Sequence, residues 1–182
     1  MDKDSTLYRR IKAGDQEALR LLIDRYHRPL FDFLYRLTDE RGLAEDLTQQ
    51  TIIRVLTFQG DSPMHLQGWL FTIARRLAYD HFRSAQVRRE SVVDFADALL
   101  PSPDSTPEQR LIDADQQGAI AQLLQSLPPD QREVVILRFY HDLSLSAIAE
   151  VVDAPLGTVK SRLFHALKKL KFQLIVSGQT DE

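Results

Sequence analysis

The 182-residue chain contains no cysteine. Disulfide bonds, thiolate zinc sites and cysteine nucleophiles are therefore excluded, and with them several enzyme classes and most zinc-finger modules. No apolar run approaches the roughly 18 residues that a membrane span needs, and segment 1–10 is too polar for a signal peptide, so we expect a cytoplasmic protein. The 7 glycines form no phosphate-binding loop, and the 5 histidines show no metal-ligand or catalytic spacing. The sequence therefore indicates no catalytic site, no metal site and no cofactor.

Acidic and basic residues nearly balance, with a formal net charge of −3, but they are segregated along the chain. Segment 91–117 holds six acids, Asp94, Asp97, Asp104, Glu108, Asp113 and Asp115, against the single base Arg110. Segment 156–172 holds five bases and no acid. The local arrangement of charge, and not its total, governs contact with phosphates. The second segment therefore remains a candidate for binding nucleic acid.

Apolar residues recur with a period of about 3.6, and alternating β-branched runs are few, so the sequence predicts an all-α protein. Helices are expected at about 5–14, 15–38, 42–58, 65–89, 108–126, 130–141, 144–152 and 157–175. Between the fourth and fifth of these, Pro101, Pro103 and Pro107 lie among Asp and Ser, as in an extended linker. We predict two small helical domains, 1–90 and 108–182, joined by an acidic flexible linker at 91–107.

Segment 144–170 is typical of a helix-turn-helix. Ser144 caps a short amphipathic helix, and a turn through Pro155 and Gly157 leads into a second one. The outer face of the second helix carries polar and cationic groups with no acid among them, as insertion into a major groove requires. The alternative is the solvated face of an ordinary bundle helix.

The helix at 65–89 has an unusual side on which aromatic rings alternate with guanidinium groups. Rings can stack on unpaired bases while arginines follow the backbone, so this side suits single-stranded or melting DNA. Alternatively, Tyr79 and Phe82 pack against another helix. In the preceding polar loop, Asp61 and Ser62 could receive a base turned out of the stack, although such loops usually only connect helices.

The helix at 42–58 aligns Asp46, Gln50 and Arg54 on one side, with Gln49 and Ile53 beside them. An apolar residue on a polar face hints at a protein contact. Single exposed apolar residues are nevertheless common on protein surfaces.

These segments together resemble the extracytoplasmic-function sigma factors, the smallest members of the sigma-70 family. Segment 44–54 resembles the part that docks on the clamp helices of the polymerase β′ subunit, and 69–80 resembles the part that melts and reads the minus-ten element. Segments 127–138, 143–148 and 157–163 resemble the domain that binds the minus-thirty-five element. The resemblance covers nearly the whole chain, in the order that the family shows.

The resemblance implies a sigma factor, which is not an enzyme, and it assigns three sets of residues. Docking on core polymerase falls to Asp46, Gln49, Gln50, Ile53 and Arg54. Minus-ten contacts fall to Asp61, Ser62, His65, Arg75, Arg76, Tyr79 and Arg83. Minus-thirty-five contacts fall to Thr158, Lys160, Ser161, Arg162, Phe164, His165 and Lys168. The chain departs from the family's usual residues at Gln50, Arg76 and His165, and the last two lie on the DNA-facing surfaces.

The resemblance also implies partners: core RNA polymerase through its β′ clamp helices and β flap, promoter DNA, and an anti-sigma factor. The family's linker runs through the active-site cleft and RNA exit channel, where acids would mimic nucleic acid; a merely solvated tether is the alternative. A free-standing helix-turn-helix regulator is the rival function, and it would bind operator DNA without polymerase.

Overall fold

The computed structural model describes residues 3–60, 63, 65–91 and 117–178, and within these ranges all regular structure is helical. The helices are α1 (Lys3–Lys12), α2 (Gln16–Thr38), α3 (Arg41–Thr57), α4 (Leu66–Ser91), α5 (Gln117–Gln125), α6 (Pro129–Phe139), α7 (Leu145–Val152) and α8 (Leu156–Gly178). The all-α prediction is confirmed. Apart from Ser91, the predicted linker lies outside the described residues, as do Asp61 and Ser62. None of the described helices is long and apolar enough to cross a membrane.

Local chemistry sets the ends of α2 and the start of α6. The Asp15 carboxylate accepts hydrogen bonds from the backbone N–H groups of Glu17 and Ala18, at 3.0 and 3.1 Å, and so caps the start of α2. Asp39 ends this helix in the left-handed conformation at φ 57°, donating its N–H to the Tyr35 carbonyl. Pro129 opens α6, where its missing N–H is not needed.

The N-terminal four helices pack around aromatic and aliphatic side chains. The rings of Phe33 and Phe71 meet edge to face at 5.3 Å, and both are fully buried. On α3, Thr48 and Thr51 are buried, and their hydroxyls donate to main-chain carbonyls one turn earlier. Ile52 is only partly buried, although the apolar spacing of the sequence predicts that α3 buries it together with Ala44, Leu47 and Val55. Self-satisfied threonines thus occupy core positions that a purely apolar pattern does not identify.

The helices of the two halves share one apolar cluster. Ile136 of α6 and Ile148 of α7 belong to the same buried set as Phe33 and Leu70. A Cβ placed on Gly68 of α4 would lie 3.9 Å from a methyl carbon of Val151, so α4 and α7 approach closely there. The helices of the two predicted domains therefore pack against each other.

Polar contacts close the other end of this packing surface. The Arg132 guanidinium donates to the Leu37 carbonyl at 3.0 Å, and the Gln125 amide donates to the Arg36 carbonyl at 3.1 Å. These carbonyls lie in the last turn of α2, where intrahelical donors run out. The Arg36 guanidinium lies 3.8 Å from the centre of the Tyr140 ring. The C-terminal half thus completes the hydrogen bonding of an N-terminal helix.

Candidate nucleic-acid interface

Helices α7 and α8 form a helix-turn-helix whose ends are held by side-chain and backbone caps. The Ser144 hydroxyl accepts from the Ala147 N–H at 3.1 Å and starts α7. Asp153, left-handed at φ 51°, ends it by donating to the carbonyls of Ala149 and Glu150. The Pro155 carbonyl then accepts hydrogen bonds from the N–H groups of Thr158 and Val159 in the first turn of α8. The turn residues therefore fix the angle at which α8 leaves the unit.

The outward face of α8 is polar and cationic, as predicted. Val159 and Ala166 are fully buried and anchor the inner face. The exposed predicted residues are Lys160, Ser161, Phe164, His165 and Lys168. No Asp or Glu occurs anywhere in the helix. Five of the seven predicted minus-thirty-five residues thus form one accessible surface free of negative charge.

The other two predicted residues of this set, Thr158 and Arg162, are partly buried. The Arg162 guanidinium lies 3.2 Å from the Asp130 carboxylate and 3.8 Å from that of Glu133, both on α6. The Arg162 side chain therefore points towards α6 and not into the outward surface of α8.

The predicted minus-ten residues on α4 and directly before it divide into two groups. His65, Arg76 and Arg83 are exposed. Arg75 and Tyr79 turn towards α6 instead, where the Arg75 Nε lies 2.7 Å and its Nη2 lies 3.2 Å from the two carboxylate oxygens of Glu133. The Arg75 guanidinium also lies 4.5 Å from the centre of the Tyr79 ring. The packing alternative for Tyr79 and Phe82 holds here, because both rings lie against the apolar cluster.

Glu133 was not predicted as a functional residue, yet it is 0% exposed and contacts both predicted DNA-binding sets. Burial raises the pKa of its carboxyl, and the hydrogen bond from Arg75 counteracts that effect. Two guanidinium groups beside one carboxylate favour the charged form at neutral pH. The signal that the sequence offered was an acid directly before the apolar run at 134–137. An acid in such a run requires a cationic partner, but the run does not identify that partner.

The predicted docking residues on α3 do form one surface. Asp46, Gln49, Gln50, Ile53 and Arg54 are all exposed. Ile53 is 57% exposed, whereas Ala44, Leu47 and Val55 on the opposite side are buried. This surface lies outside the contact between the two halves, so α3 is accessible while they are packed.

His141 lies between the halves, with its ring centre 4.7 Å from that of Phe71 and 6.1 Å from that of Phe33. Its Nε2 atom is buried and has no hydrogen-bond partner. Burial lowers the pKa of His141 to about 4, with Asp32 and Asp142 raising it and Arg36 lowering it. The neutral imidazole therefore acts as an aromatic packing group.

Acidification should lower the free energy of unfolding through His141. The pKa of His141 is about 4 in the folded state and about 6.5 in the unfolded chain. Unfolding therefore takes up a proton between these values, and stability present above pH 6.5 is lost as pH falls towards 4. We expect protonation of His141 to lower the free energy of unfolding by up to about 3 kcal/mol over this pH range. Urea unfolding at pH 7 and pH 4.5 measures it, and His141→Phe should remove that part of the pH dependence; an unchanged dependence contradicts the assignment.

Among the described residues, no group of three or more His, Asp or Glu side chains could hold a metal ion. The site is built from exposed cations, aromatic rings and one buried carboxylate. The exposed cations and aromatic rings are groups of the kind that bind and position a polyanion.

Comparison with known proteins identifies both halves. Residues 22–88 match the family model described as Sigma-70 region 2, and residues 117–170 match Sigma-70, region 4. The chain is 33% identical to the ECF RNA polymerase sigma factor SigL of Mycobacterium tuberculosis over 171 residues, covering 92% of this chain and 95% of SigL. It is 32% identical to the ECF RNA polymerase sigma factor BldN of Streptomyces coelicolor, covering 93% of this chain and 66% of BldN.

A solved structure is also similar. The sigma factor RpoE of Bartonella quintana, crystallised with the anti-sigma factor NepR, is 29% identical, with a TM-score of 0.65 over 91% of this chain and 98% of that chain. The matches to regions 2 and 4 are consistent with the geometry described above, in which α7 and α8 form a helix-turn-helix and α3 has an exposed face. The chain therefore belongs to the sigma-70 family and is an RNA polymerase sigma factor of the extracytoplasmic-function type.

Proposed function

We propose that this sigma factor docks on core RNA polymerase through the exposed face of α3 and reads promoters with α4 and α8. The observation that carries the proposal is the outward face of α8, which presents hydrogen-bonding and cationic side chains without an acid from a capped helix-turn-helix. Each half supplies part of the promoter contact. The domains are 1–90, which docks and opens the minus-ten element, and 108–182, which binds the minus-thirty-five element, with 91–107 as the linker.

In the minus-thirty-five contact, Ser161 and His165 read base edges while Lys160 and Lys168 neutralise phosphates. These four side chains are exposed on neighbouring turns of α8. Short polar side chains reach base edges once a helix enters the major groove, and lysines fix its register through the backbone. Phe164, 64% exposed, suits contact with a thymine methyl group. Thr158 and Arg162, which are partly buried near the start of the helix, complete the proposed set of minus-thirty-five contacts.

In the minus-ten contact, Arg76 and Arg83 present the accessible positive charge of α4, and His65 is exposed directly before the helix. Arg75 and Tyr79 join them when α4 separates from α6. Asp61 and Ser62, in the loop before α4, receive the flipped base. Guanidinium groups and rings on one helix suit a strand that has lost its pairing partner.

Two protein partners fit the remaining surfaces. The α3 face carries Ile53 amid polar side chains, as expected for a small apolar anchor in a polymerase contact at the β′ clamp helices. The end of α8 exposes Phe172 at 68% and Ile175 at 51%, which supports a contact with the β flap. Regulation by an anti-sigma factor is supported by the likeness to RpoE, which was solved bound to one.

Run-off transcription from a genomic promoter library, with purified core enzyme, tests the proposal. The protein should co-elute with core polymerase and direct transcripts from a distinct promoter class. Binding to operator DNA without any association with polymerase would instead identify a free-standing regulator.

Substitution of the recognition residues should change promoter choice. Ser161→Ala or His165→Ala removes a base contact worth about 1 to 3 kcal/mol, so selected minus-thirty-five sequences should relax at one or two positions. Lys168→Ala should weaken binding to all promoters and reduce the salt slope by about one. The matched control is His27→Ala, an exposed histidine of α2. Unaltered selection by both α8 variants would remove these residues from the site.

A further inference from the structure

Three aromatic rings meet beside the loop that joins α3 to α4. Tyr8 of α1 and Phe58, the residue directly after α3, both contact Trp69 in the first turn of α4. The centre of the Trp69 ring lies 5.4 Å from that of Tyr8 and 5.0 Å from that of Phe58, with both pairs edge to face. Aromatic pairs in this geometry attract each other beyond the effect of surface burial. The rings therefore connect the end of α3, the start of α4 and α1.

A lysine of α1 holds the backbone at the same point. The Lys12 Nζ, in the last turn of α1, donates a hydrogen bond to the main-chain carbonyl of Phe58. A carbonyl at the end of a helix lacks an intrahelical donor, and a nearby lysine can satisfy it. Helix α1 is itself held in place, because Tyr8 and Ile11 are buried. The ring of Phe58 is thus held by α4 and its carbonyl by α1.

Gly60 leaves the space that the Phe58 ring occupies. A Cβ placed on Gly60 would lie 2.7 Å from the Cε1 atom of that ring and closer still to its Cζ. Carbon atoms attract best at about 3.5 to 4.0 Å, so a side chain at position 60 would push the ring away. Gly60 does not have a positive φ. An alanine here would therefore displace the ring without straining the backbone.

We propose that Lys12 and Phe58 are positioning residues for the minus-ten contact, because they anchor the loop between α3 and α4 at its base. The inference rests on the proposed function, which assigns the flipped base to Asp61 and Ser62 of this loop. Phe58 and Trp69 flank the loop, so their contact holds its two ends together. Asp61 follows Phe58 by three peptide units, at most about 11 Å of chain. A loop anchored in this way loses less freedom when a base binds, which sharpens discrimination.

Run-off transcription from a library randomised at both promoter elements, with core enzyme, tests the anchor. Phe58→Leu removes the ring but stays apolar, and Lys12→Met removes the donor at nearly constant length. Both should lower discrimination at the flipped base by about two- to tenfold and leave minus-thirty-five selection unchanged. Phe58→Tyr and Lys12→Arg restore the ring and the donor, so they should select as the unaltered protein does. Affinity for polymerase should stay within about twofold in all four variants.

Fluorescence of the free protein gives a second readout. Trp69 is the single tryptophan of the chain, so its emission reports on the ring cluster. Acrylamide quenching should increase in Phe58→Leu and in Gly60→Ala, because the phenyl ring no longer covers the indole, and Gly60→Ala should relax minus-ten selection as well. Gly118→Ala is the matched control, since a Cβ there meets nothing within 4 Å. It should keep the quenching and the promoter selection of the unaltered protein.

The two readouts together decide the outcome. Unchanged minus-ten selection in Phe58→Leu and Gly60→Ala would overturn the anchor, and so would unchanged quenching. Equal relaxation at both promoter elements would overturn it too, because a general loss of DNA binding would then explain the effect. Should Phe58→Leu lose its helical circular dichroism, Lys12→Met decides, since Lys12 is exposed. Unaltered minus-ten selection by Asp61→Ala and Ser62→Ala would instead refute the base contact of the proposed function.

Discussion

Ile53→Asp should reduce binding to core RNA polymerase by roughly 30-fold or more. The side chain is 57% exposed at the centre of the polar face of α3. An apolar anchor in the middle of a protein contact typically contributes about 2 kcal/mol or more, and aspartate adds a charge that must be desolvated. Because Ile53 packs against little of its own fold, the free energy of unfolding should change by less than about 0.5 kcal/mol. Titration of labelled sigma factor with core enzyme measures the effect.

The control for this variant is Leu21→Asp. Leu21 is an exposed apolar residue of α2, 47% accessible, and lies outside the proposed docking surface. It should leave polymerase affinity within about twofold, an energy of roughly 0.4 kcal/mol. If Ile53→Asp binds as tightly as Leu21→Asp, the polymerase contact does not run through α3.

Phe33→Ala should lower the free energy of unfolding by about 3 to 5 kcal/mol, the usual cost of a cavity left by a buried phenyl ring. Phe33 is 0% exposed and meets both Phe71 of its own half and His141 of the other. A typical domain has only about 5 to 15 kcal/mol of stability, so this loss should populate unfolded protein under mild denaturant. Urea unfolding followed by circular dichroism gives the value.

The same measurement reports how closely the halves are coupled. If the shared cluster makes them one cooperative unit, Phe33→Ala should shift a single transition for the whole protein. A separate C-terminal transition that keeps its wild-type midpoint would contradict that coupling. Phe172→Ala is the control, since this ring is 68% exposed and its loss should cost less than about 0.5 kcal/mol.

The helices could be predicted because their signals are local. Asp15 and Ser144 cap helices in the structure as such residues do in isolated peptides, and Pro155 precedes α8. The exposed faces of α3 and α8 followed from apolar spacing alone, because the period of a helix determines which residues share a side. Ile52 shows the limit of that reasoning, because it is only partly buried whereas Thr48 and Thr51 of the same helix are buried.

Contacts between distant segments could not be predicted from the sequence. Glu133 and Arg75 are 58 residues apart, and no spacing rule relates an acid on one helix to an arginine on another. The aromatic and cationic side of α4 had two readings, DNA contact or helix packing, because both favour rings and long side chains on one face. In the folded chain α4 packs against α7, and Arg75 and Tyr79 turn inward towards Glu133 of α6, while Arg76 and Arg83 are exposed.

By itself the sequence determined the all-α class, the order of the helices, the helix-turn-helix and the resemblance to sigma factors, since each depends on residues within a few turns of one another. Only the tertiary structure decided that the two halves share an apolar cluster and that the Glu133 carboxylate lies between Arg75 and Arg162, two arginines that the sequence predicts for DNA contact. The physical reason is that burial and charge pairing depend on which surfaces meet, and that is a property of the folded chain as a whole.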